Sequence, residues 1–189
     1  MELGKTLYVT NRKDWRSWLS KNYNKEKEVW LIYYKKLSGK PRIAYDDAVK
    51  EAIAFGWIDS TVKPIDEYRF AQRFTPRRKG SNLSQANKER VREMIAKKRM
   101  TQAGLDAIAH AFDKNKDDPD QFITAPDILR SLKKEPGAWE NFQRLPKRYQ
   151  RIRIGYVESR RRHGKGPFEK SLANLVRMTA KNKKFGMVR

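Results

Sequence analysis

The order of apolar and polar residues changes period several times along this chain, and each change marks an element. Residues 6–9 form a short β-prone run, after which Thr10 or Asn11 can cap a helix carrying Trp15, Trp18 and Leu19 at helical spacing. Residues 28–34 are the clearest strand. Val29, Leu31 and Tyr33 alternate with Trp30, Ile32 and Tyr34, so both faces are apolar, as in a strand covered on two sides, and a central place in the sheet is expected. A turn at Ser38, Gly39, Lys40 and Pro41 leads into residues 45–55, where Ala48, Val49, Ala52, Ile53 and Phe55 recur at helical periods. Asp46 and Asp47 suit the dipole at the start of that helix, and Gly56 is placed to end it.

Residues 57–62 and 68–75 predict the arms of a hairpin around Lys63, Pro64, Ile65 and Asp66. On the second arm Tyr68, Phe70 and Phe74 share one face, and Arg69, Ala71, Arg73 and Thr75 the other, which aims Arg73 away from the core. Beyond Pro76 the pattern turns helical. A helix capped by Ser84 is expected to run to residue 99, with Ala86, Val91, Met94 and Ile95 inward and Lys88, Arg92 and Arg99 along an outward stripe. A helix over residues 101–114 buries Leu105, Ile108, Ala109 and Phe112, and residues 115–119 break the pattern as a linker. Short helices then follow. One opens at Thr124, Ala125, Pro126 and Asp127, and one over residues 138–145 turns Trp139 and Phe142 inward. A third, after Pro146, aligns Tyr149, Ile152 and Tyr156; Gly164 and Gly166 end it, and Pro167 begins a helix with Phe168, Leu172, Leu175 and Val176 on one side. The expected fold is α+β: a small antiparallel or mixed sheet with helices on it over residues 1–115, followed by a basic all-helical module over residues 120–189.

A hydrophobic fraction of 38% in 189 residues is enough to build a core. The chain has no cysteine, which excludes a disulfide framework, thiol catalysis and thiolate zinc, and its two histidines are far apart, so neither a metal nor a cofactor is expected. The opening residues lack an apolar signal core, and no segment approaches the roughly 20 apolar residues that cross a bilayer. A cytoplasmic protein without stable membrane insertion is expected; the sequence sets no oligomeric state.

Charge changes this picture most. The net charge is +22: residues 77–100 carry nine Lys and Arg against two acids, and residues 120–189 carry eighteen against six. Such a surplus concentrates polyanions at the surface in a salt-dependent way, so an anionic partner is expected, with nucleic acid favoured. Lys88, Arg92, Arg99, Arg148, Arg151, Arg160 and Arg161 are the candidate phosphate contacts, and Trp57 and Tyr68 the candidate stacking surfaces. No zinc finger, RNP-type strand motif or helix-turn-helix accompanies them, so the expected binding is non-specific. The alternative is a phosphate- or carboxylate-binding site, or an enzyme, centred on Asp59 and Arg77. In that reading Asp59, Arg73, Arg77, Lys79, Ser81 and Ser84 converge as an anion pocket that uses the free amides at the start of the Ser84 helix. Neither histidine nor cysteine accompanies the serines, and an aspartate among arginines is ionised and a poor base, so no catalytic residue is nominated and binding is favoured over catalysis.

These motifs carry a family resemblance. Glu28-Val29-Trp30-Leu31, Tyr33-Tyr34-Lys35-Lys36, Phe55-Gly56-Trp57-Ile58-Asp59-Ser60, Arg73-Phe74-Thr75-Pro76-Arg77, the residues Ser81, Ser84 and Asn87, and Met100 with Gly104-Leu105 together resemble the YdeI/OmpD-associated, bacteriocin-protection-like family. The region from Leu145 to Gly186 is similar to the helical module at that family's C-terminus. Leu83 stands where relatives often carry Trp, and Phe168-Glu169-Lys170-Ser171-Leu172 replaces a Thr-Arg-x-x-Arg-Ile-like pattern. The resemblance implies a cytosolic protein associated with protection against bacteriocins or other cationic peptides, without an established catalytic centre.

Overall fold

Asn11, rather than Thr10, caps the first helix: its side chain accepts the Asp14 amide hydrogen at 2.9 Å, and α1 spans Arg12–Asn22. The computed structural model describes residues 3–113, 115 and 117–186. Lys114, the expected end of a helix, and Lys116, within the expected linker, lie outside the described residues, as do Met1 and Glu2 of the opening segment. The chain packs as two units, Met1–Asn82 with Arg90–Ala111, and Leu83–Glu89 with Phe112–Arg189.

The first unit is built on four strands, β1 (Thr6–Leu7), β2 (Val29–Tyr34), β3 (Trp57–Pro64) and β4 (Arg69–Pro76), in the order β1-β2-β4-β3. β1 runs parallel to β2 and the other pairs are antiparallel, so the sheet is mixed, and β2 is an interior strand as its two apolar faces require. Residues opposite each other in the register share a face: Val29 with Phe74, Leu31 with Gln72 and Tyr33 with Phe70 on one side, Trp30 with Arg73 and Ile32 with Ala71 on the other. α1 covers the first side, where the Trp15 ring meets Phe74 at 5.4 Å and Trp18 meets Trp57 at 5.9 Å. Trp57 is 1% exposed and donates its indole N–H to the Tyr23 carbonyl at 3.0 Å, which removes it as a stacking surface; Tyr68 is exposed.

α2 (Tyr45–Ala54) is buried almost all round, including Lys50 and Glu51, and ends at Gly56 with φ 76°. α4 (Gln102–Ile108) approaches its C-terminal end closely: a Cβ on Gly104 would lie 2.2 Å from the Ala54 carbonyl oxygen, to which Thr101 donates its hydroxyl at 2.6 Å. Gly104 and Ile108 therefore form the buried side of α4, while Leu105 and Ala109, expected there, are exposed. α3 (Gln85–Ala96) stops short of residue 99. Lys98 takes a left-handed conformation (φ 52°) and the Arg99 amide bonds back to Met94 at 2.8 Å, a helix-ending reversal that takes Arg99 off the stripe of Lys88 and Arg92.

The second unit contains α5 (Pro126–Lys134), α6 (Ala138–Arg144), α7 (Lys147–Ser159), a 3-10 turn at Arg160–His163 and α8 (Lys165–Ala180). Ile128, Leu132, Phe142, Ile154, Val157 and Leu175 form its core. Tyr156 does not join Tyr149 and Ile152 inside but is 47% exposed, because α7 turns Ile154 and Val157 into the core instead. Gly166 lies in the first turn of α8, so Gly164 (φ 98°) is the break between the two helices. Among the described residues, no helix is long and apolar enough to cross a membrane.

Candidate functional site

The residues expected to form one anion pocket have separate partners. Asp59, on β3 opposite Phe74, lies on the helix-covered face and accepts the Tyr45 hydroxyl at 2.6 Å. Burial, reinforced by that bond, pushes the Tyr45 hydroxyl far above its ordinary pKa. Arg73 is one register position away from Phe74 and therefore on the opposite face, where its guanidinium forks onto Glu28, with Nε to Oε2 at 2.7 Å. The Arg73 hydrogen bond, followed by one from Trp30, holds the Glu28 carboxyl below the usual glutamate range. Arg77 and Ser81 are brought together: Arg77 Nη2 donates to the Ser81 carbonyl and hydroxyl at 3.1 and 3.2 Å and to the Asn82 carbonyl at 2.9 Å, closing its own loop. Desolvation lowers the pKa of this half-buried guanidinium. Lys79 is exposed on the same loop, and Ser84, in the second unit, caps α3 by accepting the Asn87 amide hydrogen at 3.3 Å. Among the described residues, no hydrogen bond or ion pair joins Asp59 to Arg73, Arg77 or Lys79.

The candidate phosphate contacts divide in a similar way. Lys88 pairs with Asp117, and Arg151 forks onto the buried Glu89 at 2.6 and 3.0 Å, a bond that raises the arginine's pKa. Arg161 bridges Glu158 and Asp127, each at 2.8 Å, and is raised by both. Arg92, Arg148 and Arg160 are half-buried, and Arg160 keeps a buried Nε without a hydrogen-bond partner. A further basic row lies on α8. Lys170, Arg177 and Lys181 recur on the exposed side of α8 and its C-terminal end, where Arg177 donates to Asn174 at 2.7 Å. None of the three pairs with a carboxylate among the described residues. Their spacing opposite Phe168, Leu172 and Leu175 was legible in the same periodicity that predicted the apolar side.

The most organised group of charges lies elsewhere in the first unit. Glu51 is completely buried, and its two oxygens receive three guanidinium groups: Arg12 Nε and Arg99 Nη2 on Oε1, the latter at 2.9 Å, and Arg16 Nη1 on Oε2 at 2.5 Å. Arg12 also reaches Asp47 at 3.3 Å and the Met94 sulfur at 3.1 Å. Arg16 lies over the Phe55 ring at 5.1 Å and bonds the Arg99 carbonyl at 3.1 Å. These arginines, with Lys13, Ser17 and Ser20 of α1, line an open cleft of about 480 Å³. Of this set only Arg99 was named from sequence; the acid at position 51, embedded among Ala48, Val49, Ala52 and Ile53, was the signal that buried cations had to meet it. Among the described residues no cluster of acids and histidines could hold a metal ion.

Residues 7–107 match the family model described as a domain of unknown function (DUF8412), and residues 121–182 match the model described as bacteriocin-protection, YdeI or OmpD-associated. The YdeI/OmpD-associated match thus falls on the C-terminal helical segment, while the motif block from Glu28 to Leu105 lies within residues matched by the other model. No curated protein and no solved structure matches the chain.

Proposed function

We propose that this chain, which belongs to the DUF8412 family over its first half and carries a YdeI/OmpD-associated segment in its second, binds nucleic acid non-specifically through its basic surface. The observation that carries this reading is the cationic row on α8. Lys170, Arg177 and Lys181 are solvent-exposed and unneutralised, whereas Arg151 and Arg161 have their charge answered by acids of the same unit. A rigid helix bearing cations along one face, seven and four residues apart, follows a phosphate backbone without reading bases. A protein of net charge +22 repels a cationic peptide. Any protective role therefore runs through occupation of the anionic surfaces that such a peptide seeks. We place the protein in the cytoplasm, where polyanions of this class are abundant; without cysteine the chain itself is indifferent to the redox state.

The test is retention on single-stranded DNA, duplex DNA and RNA across a salt series, for the intact protein and for Lys170→Glu with Lys181→Glu. Each lost phosphate contact lowers the slope of log K against log salt by about 0.7–0.9, so the double variant should bind more weakly and with a slope shallower by about 1.5. Retention and slope equal to the parent's remove α8 from the interface. A parent protein that binds none of the three polymers ends the reading altogether.

A further inference from the structure

We infer that the α1 cleft of the first unit is a binding site for a phosphomonoester dianion. The argument starts from a mismatch of number. Glu51 carries one negative charge, yet three guanidinium groups meet it, each through one nitrogen, and Lys13 adds a fourth cation to the same cleft. Among the described residues, the acids paired with Arg12, Lys13, Arg16 and Arg99 are Glu51 and Asp47 alone, which leaves a surplus of two positive charges. A phosphomonoester carries about −1.5 to −2 at neutral pH, whereas a carboxylate or a backbone diester carries −1. The surplus therefore matches the monoester.

Donor geometry agrees with the charge. Arg16 makes its hydrogen bonds through Nη1 alone and Arg99 through Nη2 alone, so the remaining nitrogens of both have no partner among the described residues. Glu51, Phe55 and the Arg99 carbonyl fix the planes of these guanidinium groups before any ligand arrives, which removes part of the ordering cost of binding. Lys13, Ser17 and Ser20 follow one another a turn apart on α1 and add an ammonium and the Ser17 hydroxyl for the remaining phosphate oxygens, while the Ser20 hydroxyl donates to the Ser17 carbonyl at 2.8 Å. A cleft of about 480 Å³ accommodates a nucleotide-sized molecule. The phosphate belongs either to a small phosphorylated molecule or to the 5′ end of a strand. The site is independent of the α8 row, so each reading can fail alone.

Isothermal titration of the intact protein with inorganic phosphate, a nucleoside 5′-monophosphate and the unphosphorylated nucleoside tests this. The two phosphates should bind and the nucleoside should not. Lys13→Glu touches no ion pair and sits in the first turn of α1, where an acid is tolerated. It should weaken both phosphates about tenfold, while Lys36→Glu, the same charge change outside the cleft, should leave them within about twofold. A 5′-phosphorylated oligonucleotide held more tightly than its 5′-hydroxyl twin assigns the group to strand ends; equal retention of the two strands, with the monophosphate bound, assigns it to a small molecule. Absence of phosphate binding at millimolar concentration overturns the inference, as does equal weakening by Lys13→Glu and Lys36→Glu. Polymer retention lost in Lys170→Glu with Lys181→Glu but phosphate binding kept leaves this inference standing and confines the loss to α8.

Discussion

Replacing Glu51 by Gln keeps the shape of a fully buried side chain and removes its charge, which isolates what the carboxylate does for the first unit. Three guanidinium groups donate to it in the native protein. With Gln, one acceptor oxygen remains, and the three cations face each other around a neutral amide. Breaking a buried charge network by removing one partner costs about 3–5 kcal/mol. The side chains of Arg12, Arg16 and Arg99 are 22%, 31% and 38% exposed, so each recovers part of its hydration, which places the expected loss near about 3 kcal/mol. In a unit of about 100 residues that corresponds to a fall in Tm of about 12–24 °C. Urea unfolding followed by tryptophan fluorescence is the suitable assay, because Trp15, Trp18, Trp30 and Trp57 lie in the first unit and Trp139 alone in the second. The midpoint should fall with the slope unchanged. A variant within about 0.5 kcal/mol of the parent would show that the arginines are held by the backbone and not by the acid, and the argument for a preorganised cleft would go with it.

Gly104→Ala places a methyl group against the Ala54 carbonyl, which is backbone and cannot yield, so a loss of about 1–3 kcal/mol is expected in the same urea assay. Glu89→Ala strands Arg151 in the second unit and should lower that unit's stability by about 2–3 kcal/mol, read by hydrogen exchange along α7, while Arg161→Ala, at an exposed pair, should leave exchange there unchanged. Acid should destabilise the first unit with a defined sign. Burial raises the Asp46 and Glu93 carboxyls, but hydrogen bonds from Lys50, Arg90 and Lys97 outweigh it and leave both below their ordinary values of 3.8 and 4.5. Their stabilisation is therefore complete above those values and is lost as pH falls through the lower folded ones, so the urea midpoint should hold near neutrality and drop below about pH 4.5. Asp46→Asn should remove part of that drop; a midpoint that rises on acidification contradicts the assignment.

Much of this protein was legible before its structure. A cap at Thr10 or Asn11, the apolar alternation of β2, the stop at Gly56, the hairpin of β3 and β4 and the short helices of the C-terminal segment all follow from neighbours a few residues apart. Side-chain period, capping oxygens and glycine's access to positive φ act at that range, and so the α+β class was determined by the chain itself. The partner of each charge was not. Arg12 is 39 residues from Glu51, Arg99 is 48 from it, and Arg151 is 62 from Glu89. Nothing local distinguishes a cation that folding sets against a buried acid from one left facing water; Arg151 and Lys170 read alike on their helices. Coulomb attraction and desolvation depend on distance and burial, which only the packed chain defines. The sequence determined that cations are in surplus; the tertiary structure decided which meet acids, which of those also line the cleft, and which face water on α8.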